Sequence, residues 1–258
     1  MTVYRKHDTG QTRLLVDSGA FTAWKSGTVI ALDDYCKFIE TLPVKPWRYF
    51  ALDVVGDPAG TLRNYELMLK RGFKPVPIFT RGEDPSVLED YYKTSDLVGI
   101  GGLVGTDDSR GFVNGIMQRI GSRHVHLLGF NRMEYLKFWK PYSADSSNHT
   151  GAHRYGRIDV YLGGGRFKAI TRTQLSERLT HDISAKIRRY GFDPYVLRQQ
   201  GEWHSGTSTS ALVTKCAWVE FTLDIERALH TKFFLSESSN VYLGQIFKAF
   251  EIITGGKP

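Results

Sequence analysis

The sequence predicts an α/β protein: a (β/α)8 TIM-type barrel with additional C-terminal helices and no structural zinc site. Three observations carry this. Over residues 12–147 an apolar run followed by a helical pattern or loop recurs six times. The runs are continuously apolar rather than alternating, as strands of a parallel sheet buried on both faces must be. The 258 residues also match the roughly 250 that such a barrel uses. A doubly wound open sheet is the competing architecture. The whole chain, 1–258, reads as a single domain with no repeat, low-complexity stretch or linker.

The elements follow in order. TRLLVD (12–17) is the first strand, and LDDYCKFIETL (32–42) puts Tyr35, Phe38, Ile39 and Leu42 on one helical face. YFALDV (49–54) is the second strand. Asp57-Pro58 then supplies an N-cap and a first-turn proline, with Gly72 as the C-terminal stop. KPVPIF (74–79) is the third strand, and Asp84-Pro85 opens the next helix. DLVGIGGLVG (96–105) is the fourth, followed by a helix ending at Gly121. HVHLLGF (124–130) is the fifth, with Asn131 expected to cap RMEYLKFW, and YSADSS (142–147) is the sixth. IDVYLGG (158–164) reads as a seventh strand. Thr171 and Gln174 fit a capping box, after which Leu175, Leu179, Ile183 and Ile187 recur every four residues along one helix. The last segment, 211–251, is mostly helical in pattern.

Composition excludes several classes. With 41% hydrophobic and 24% charged residues, whole-chain disorder is excluded. No run reaches about 18 apolar residues, so a membrane span is not expected. The N-terminal MTVYRKHDTGQTR lacks an apolar signal core. Cys36 and Cys216 are too few for a disulfide framework or a four-thiolate zinc site, and a reducing cytoplasm is expected. The net charge is +7, and residues 151–198 hold ten Lys/Arg against four Asp/Glu. A basic segment that local attracts a polyanion such as DNA or RNA.

A barrel carries its active site at the C-terminal ends of its strands. Strand one ends in Asp17-Ser18-Gly19-Ala20-Phe21, strand two in Asp53 and strand three in Phe79-Thr80. Strand four ends in Gly101-Gly102, strand five in Gly129 and strand six in Asp145-Ser146-Ser147. Carboxylates are costly to bury unpaired, so three of them converging on one mouth point to a site. Paired carboxylates suit chemistry at an anomeric carbon, one as nucleophile and the other moving protons. Spacing alone does not say which does which.

VDSGAF (16–21), ALDVVGD (51–57), VGIGGLVG (98–105), HLLGF (126–130) and SADSS (143–147), in that order, resemble the motifs of the tRNA-guanine transglycosylase superfamily. The compact length and short DSGAF motif are most similar to its phage-type branch, which inserts 7-deazaguanine bases into DNA. The resemblance covers residues 12–165. It implies that Asp145 is the nucleophile that attacks C1′ of a guanine nucleotide, and that Asp17 is the general acid/base. It further implies that Asp53 reads the base edge and that Ser18 and Gly19 shape the loop. Phe21 would stack on the base, Gly101 and Gly102 would approach it through their backbones, and Thr80 would take the place of a base-reading glutamine. The partners it implies are double-stranded DNA, or tRNA, and a free 7-deazaguanine base. No metal or cofactor is called for, and the location would be a cytoplasm, the host's if the gene is a phage's.

This chain departs from the pattern. Ala20 replaces the motif's second glycine, Thr22 its glutamine, and SSNHTGAHRYGR follows Asp145. The zinc site of the tRNA enzymes cannot be built from Cys216 alone. DNA is therefore the expected substrate, with Arg154, Arg157, Arg166, Lys168 and Arg172 as phosphate contacts around a flipped-out nucleotide. Exchange on tRNA, a carboxylate-dependent glycoside hydrolase and a nucleic-acid-binding barrel without catalysis are the alternatives. His124 and His126 read as core or loop residues, and Gly163-Gly164-Gly165 as a turn. His149 and His153 read as mobile substrate contacts, and Trp203, Trp218, Phe233 and Phe234 as core.

Overall fold

The computed structural model describes residues 2–5, 11–103, 109–151, 155–176, 179–203 and 207–255. They form a mixed α/β protein that divides into two compact units, one holding Arg13–Asp145 and the other, in the main, Ser146–Pro258.

The first unit is a succession of parallel strands and helices. Strand β2 (Thr12–Val16; β1, Thr2–Arg5, precedes it) leads into helices α1 (Ala20–Lys25) and α2 (Leu32–Glu40). Next come β3 (Arg48–Tyr49), α3 (Pro58–Lys70), β4 (Ile78–Phe79), α4 (Val87–Thr94) and β5 (Leu97–Ile100). The unit ends with α5 (Ser109–Ile120), β6 (His124–Leu127), α6 (Met133–Trp139) and β7 (Ser143–Ser146). β2 pairs with β3, and β4 through β7 pair in chain order, all parallel. The isolated parallel bridge Phe50–Val76 joins the β3 and β4 segments. Six strands thus lie side by side in sequential order, without the reversal that defines a doubly wound sheet. The pairings within this unit do not close into a ring.

Local chemistry explains the punctuation. Asp57 caps α3 by accepting from Gly60 N at 2.9 Å. Gly72 and Gly121 take positive φ after α3 and α5, as a helix stop requires. Two expected starts move. Asp84 accepts from Ser86 N in a turn, so α4 begins at Val87. Arg132, in extended backbone, stands at the N-cap of α6 in place of Asn131.

The run of strands is curled. β3 and β6 are three strand steps apart, about 14 Å on a flat sheet, yet the rings of Phe50 and His126 have centroids 5.1 Å apart. Gly99 makes room for this: a Cβ there would lie 2.8 Å from Phe50 Cε1.

The second unit corrects two expectations and refines a third, the C-terminal segment being mostly helical as expected. IDVYLGG is not a seventh parallel strand. β8 (Arg157–Tyr161) pairs antiparallel with β9 (Phe167–Thr171) as a separate two-stranded sheet. The connecting loop is far too short for a parallel crossover. The Leu175–Ile187 pattern is not one helix. The capping box is present, with Thr171 N donating to Gln174 Oε1 at 3.0 Å and Gln174 N to Thr171 Oγ1 at 3.3 Å. Helix α7 is described over Arg172–Ser176, and Thr180, in extended backbone, stands at the N-cap of α8 (His181–Arg189). The C-terminal segment is interrupted by a strand, β10 (Lys232–Ser236), between α9 (Thr209–Leu229) and α10 (Asn240–Thr254). Trp203, Trp218, Phe233 and Phe234 are buried, as expected. Among the described residues no helix is long and apolar enough to cross a membrane.

The Gly99–Phe50 contact gives a test. Gly99→Ala is expected to cost about 1–3 kcal/mol by overpacking, read from the midpoint of urea unfolding. A neutral result would show that Phe50 can give way.

Candidate active site

Parallel register assembles the first part of the site. His126 pairs with Ser143 across β6 and β7, and Ser143 and Asp145, two apart on a strand, share a face. Ser143 Oγ lies 2.8 Å from His126 Nδ1, and His126 Nε2 lies 3.1 Å from Asp145 Oδ1. A carboxylate only accepts, so Nε2 carries the hydrogen that faces Asp145, and in the neutral ring the Ser143 hydroxyl donates to Nδ1. Gly129 N donates to the same Oδ1 at 2.8 Å. Asp145 is 8% exposed and His126 fully buried. Two donors on one oxygen, one held by a ring that Phe50 packs against, fix the carboxylate where it stands.

The ends of β2 and β3 assemble the second part. Ser18 Oγ donates to Asp53 Oδ1 at 2.5 Å and accepts from Ala20 N at 3.2 Å. Gly19, at φ 76°, stands at the N-cap of α1, a left-handed conformation that glycine adopts without strain. One hydroxyl thus ties the DSG turn to Asp53 and to the start of α1. Behind Asp53, Thr61 Oγ1 accepts from Val54 N at 2.9 Å, and Asn64 Nδ2 donates to Leu52 O at 3.0 Å. The loop is thereby anchored to α3.

The electrostatics join the two parts. The Asp17 side chain is exposed, yet enough protein lies around its carboxyl that desolvation is the largest cause of a pKa pushed up to about 6. The carboxylates of Asp145 and then Asp53 push it further the same way. Asp53 is itself raised, by burial, against the opposing bond from Ser18. Below them Tyr35, which donates to Phe50 O at 2.7 Å, has a hydroxyl shifted well upward, by burial first and then by Asp17 and Asp53. Asp17, Asp53 and Asp145 therefore belong to one electrostatic cluster. A carboxyl that titrates near neutrality beside a hydrogen-bonded carboxylate can give and take a proton in the physiological range. Among the described residues no group of three or more His, Cys, Asp or Glu is arranged to hold a metal ion.

The other expected base contacts lie at neighbouring strand ends. Thr80 N and Oγ1 both donate to Glu83 Oε2, at 2.5 and 3.2 Å, while Tyr91 donates to Glu83 Oε1 at 2.8 Å. Thr80 thus spends its hydroxyl on Glu83, whose carboxyl burial raises. A Cβ at Gly101 would be tight, meeting Thr80 Cγ2 at 3.1 Å and Ile78 Cγ2 at 3.2 Å. Gly102, at φ 68°, offers its carbonyl to Arg81 Nε at 3.3 Å. Phe21 is part-exposed on α1, with Trp24 stacked beside it and Lys25 over its ring.

The expected phosphate contacts belong to the second unit. Arg166, Lys168 and Arg172 are exposed, and Arg157 is half-buried, its Nε 3.4 Å from Asp159 Oδ1. Arg154 and His153 lie outside the described residues. The Gly163–Gly165 turn already holds an anion: the Asp224 carboxylate accepts from Gly164 N at 3.3 Å and from the Tyr161 hydroxyl. His149 is no mobile contact but buried, bonded through Nε2 to Ser236 O at 2.9 Å.

Sequence reasoning missed three residues here. His126 reads as a core or loop residue in the sequence; the signal of its role is its register opposite Ser143, two residues before Asp145. Ser143 went unremarked for the same reason. Glu83 was legible as an acid three residues after Thr80, the spacing of a capping box. Comparison with family models, with curated proteins and with solved structures finds no match to this chain.

The shifted carboxyl sets a pH signature. The folded-state pKa of Asp17, about 6, lies above that of an unfolded aspartate, about 4. Its contribution to stability is thus fully present below about pH 4 and lost as pH rises through 6. Asp17→Asn is expected to stabilise the protein at pH 8, on the order of 1 kcal/mol after allowing for solvent contact at this side chain, with little change at pH 4. Urea unfolding at the two pH values measures it; equal gains at both would show that the cost of ionising Asp17 is not the cause.

His126→Phe keeps the ring's bulk but removes a donor from a buried carboxylate. A loss of about 3 kcal/mol is expected, again from the unfolding midpoint, whereas a loss below 1 kcal/mol would mean that water or another donor takes over.

Proposed function

We propose that the protein is a base-exchanging transglycosylase of the tRNA-guanine transglycosylase type that replaces guanine in DNA with a 7-deazaguanine base. The observation that carries this reading is the pairing of unlike carboxylates. Asp145 is clamped by His126 and Gly129, and Asp17, though exposed, is lifted to about 6 by the protein crowding its carboxyl and by its acidic neighbours. Two carboxyls whose environments differ in this way divide into acid/base and nucleophile.

In this mechanism an Asp145 oxygen attacks C1′ of the target nucleotide. The C1′–N9 bond breaks and its electron pair leaves with guanine, which takes a proton from Asp17. The covalent sugar–Asp145 ester is then attacked at C1′ by N9 of the incoming 7-deazaguanine. Asp17, now a carboxylate, removes the N9 proton, and Asp145 is released with retained configuration. Asp53, held by Ser18, reads the base edge, and the backbones at Gly101 and Gly102 line its approach. Asp145 serves as nucleophile because its donors hold its oxygen in place; Asp17 serves as acid/base because it titrates in the working range.

The architecture that fits is a (β/α)8 barrel. Six sequential parallel strands and a sheet curled enough for Phe50 to touch His126 supply most of its wall, and the carboxylates lie at C-terminal strand ends, where barrels keep their chemistry. The exposed Arg166, Lys168 and Arg172, with Arg154 and Arg157, serve as contacts to the phosphates of a strand whose target base is flipped out. The reaction calls for no metal or organic cofactor, and a cytoplasmic setting suits it.

The test is base exchange on duplex DNA and tRNA, each incubated with a 7-deazaguanine such as preQ0 and digested for nucleoside mass spectrometry. Incorporation into DNA is expected. It should be abolished in Asp145→Ala, with a pH–rate inflection near 6 that disappears in Asp17→Asn. Incorporation into tRNA alone would keep the mechanism and change the substrate. Release of guanine or sugar without incorporation would identify a hydrolase using the same carboxylates.

A further inference from the structure

Helix α1 begins three residues after Asp17 and, of its six residues, buries only Ala20. Its outer surface is aromatic. Phe21 is 41% exposed and Trp24 57% exposed, their rings stacked with centroids 5.9 Å apart and planes 30° from parallel. Lys25 Nζ stands 4.6 Å from the Phe21 ring centre. Phe21 already has both of these neighbours; Trp24 is the ring left more than half open. A lone exposed ring needs no partner, but two stacked open rings under an ammonium form a patch whose burial would recover hydrophobic free energy.

We propose that Trp24, backed by Phe21, is a stacking platform for an unpaired nucleobase next to the nucleotide undergoing exchange, with Lys25 facing that strand's phosphate. The platform rests on the transglycosylase reading for its position beside the chemistry, though not for its own detection. The chemistry of the face selects the occupant. Two offset rings and an ammonium offer a flat π surface and a cation, matching a base and its phosphate. Aliphatic side chains of a protein partner would be met by a groove of branched apolar residues, which α1, AFTAWK, does not contain. The chain's net charge of +7 suits a polyanion. Continuity with the site is set by the backbone: Ser18 ties the start of α1 to Asp53, and Trp24 lies about one helical turn, roughly 6 Å, further along the axis. The base it holds is therefore a near neighbour of the exchanged one.

Flipping a base out of a duplex breaks the stacking of the bases beside it. A protein ring that replaces the lost stack keeps the opened strand from closing, which is the work the platform would do.

The experiment is binding of a fluorescein-labelled single-stranded DNA oligonucleotide to the full chain, by anisotropy, for the wild type, Trp24→Ala and Trp24→Phe. Trp24→Ala is expected to weaken binding about 5- to 100-fold, the scale of one base–aromatic stack, with Trp24→Phe close to wild type. Oligonucleotide should quench tryptophan emission in the wild type, and Trp24→Phe should lose most of that quenching while still binding. Unchanged melting of Trp24→Ala shows that it is folded. Equal affinity of all three proteins overturns the platform. So does self-association of the wild type that Trp24→Ala abolishes while leaving oligonucleotide binding unchanged, since the face would then be an interface between copies. The readout does not use the exchange reaction. Trp24-dependent binding without exchange leaves the platform standing and removes the chemistry; exchange with binding indifferent to Trp24 does the reverse.

Discussion

A carboxylate taken almost wholly out of water at the end of a parallel strand must be met by donors, and the first unit is organised around that requirement at Asp145. The donors come from the neighbouring segment: the His126 ring on β6 and the Gly129 amide just beyond it. Both depend on the register that sets His126 opposite Ser143. His126 depends in turn on Ser143 for its other nitrogen and on Phe50 for its packing, and Phe50 reaches it because Gly99 has no side chain. Four strands thus converge on the placement of one oxygen atom.

The second constraint is repulsion. Asp145 and Asp53 stand close enough to Asp17 that both raise the cost of ionising it, while Asp145 is itself relieved by His126 and Gly129 and Asp53 by Ser18. A fold selected for stability alone would separate such groups or pair them with cations. Here the unlike environments give one carboxyl fixed by hydrogen bonds and another ready to change its proton. The electrostatic cost and the ready proton have the same origin.

Much of the first unit was legible because its signals are local. Continuous apolar runs, Asp57-Pro58 and the stops at Gly72 and Gly121 each act within a few residues of themselves. The strand-end aspartates were legible because parallel strands separated by helices bring their C-terminal ends to one side. What was not legible depends on pairing. The sequence of β8 looks like its predecessors, and only the short return to β9 makes it half of a hairpin. Leu175 to Ile187 keeps its four-residue period through a break, because burial on one side can be continuous while the backbone is not. His126 carried no sign of its role until register set it against Ser143, and Thr80 could not be seen to belong to Glu83 until the turn between them was formed.

The chain of contacts from Ser143 through His126 to Asp145 also limits how the protein can change over generations. Losing the imidazole strands a buried carboxylate oxygen and a buried hydroxyl together, while losing the carboxylate strands the ring. Each single step passes through a poorly solvated intermediate, so drift at any one position is blocked unless the others move with it. Positions 126, 143 and 145 should therefore be inherited as a block, and so should 18 and 53, which share one hydroxyl hydrogen. A descendant that lost one member of either block would have little reason to keep the rest, and the vacated strand ends could refill with ordinary apolar side chains.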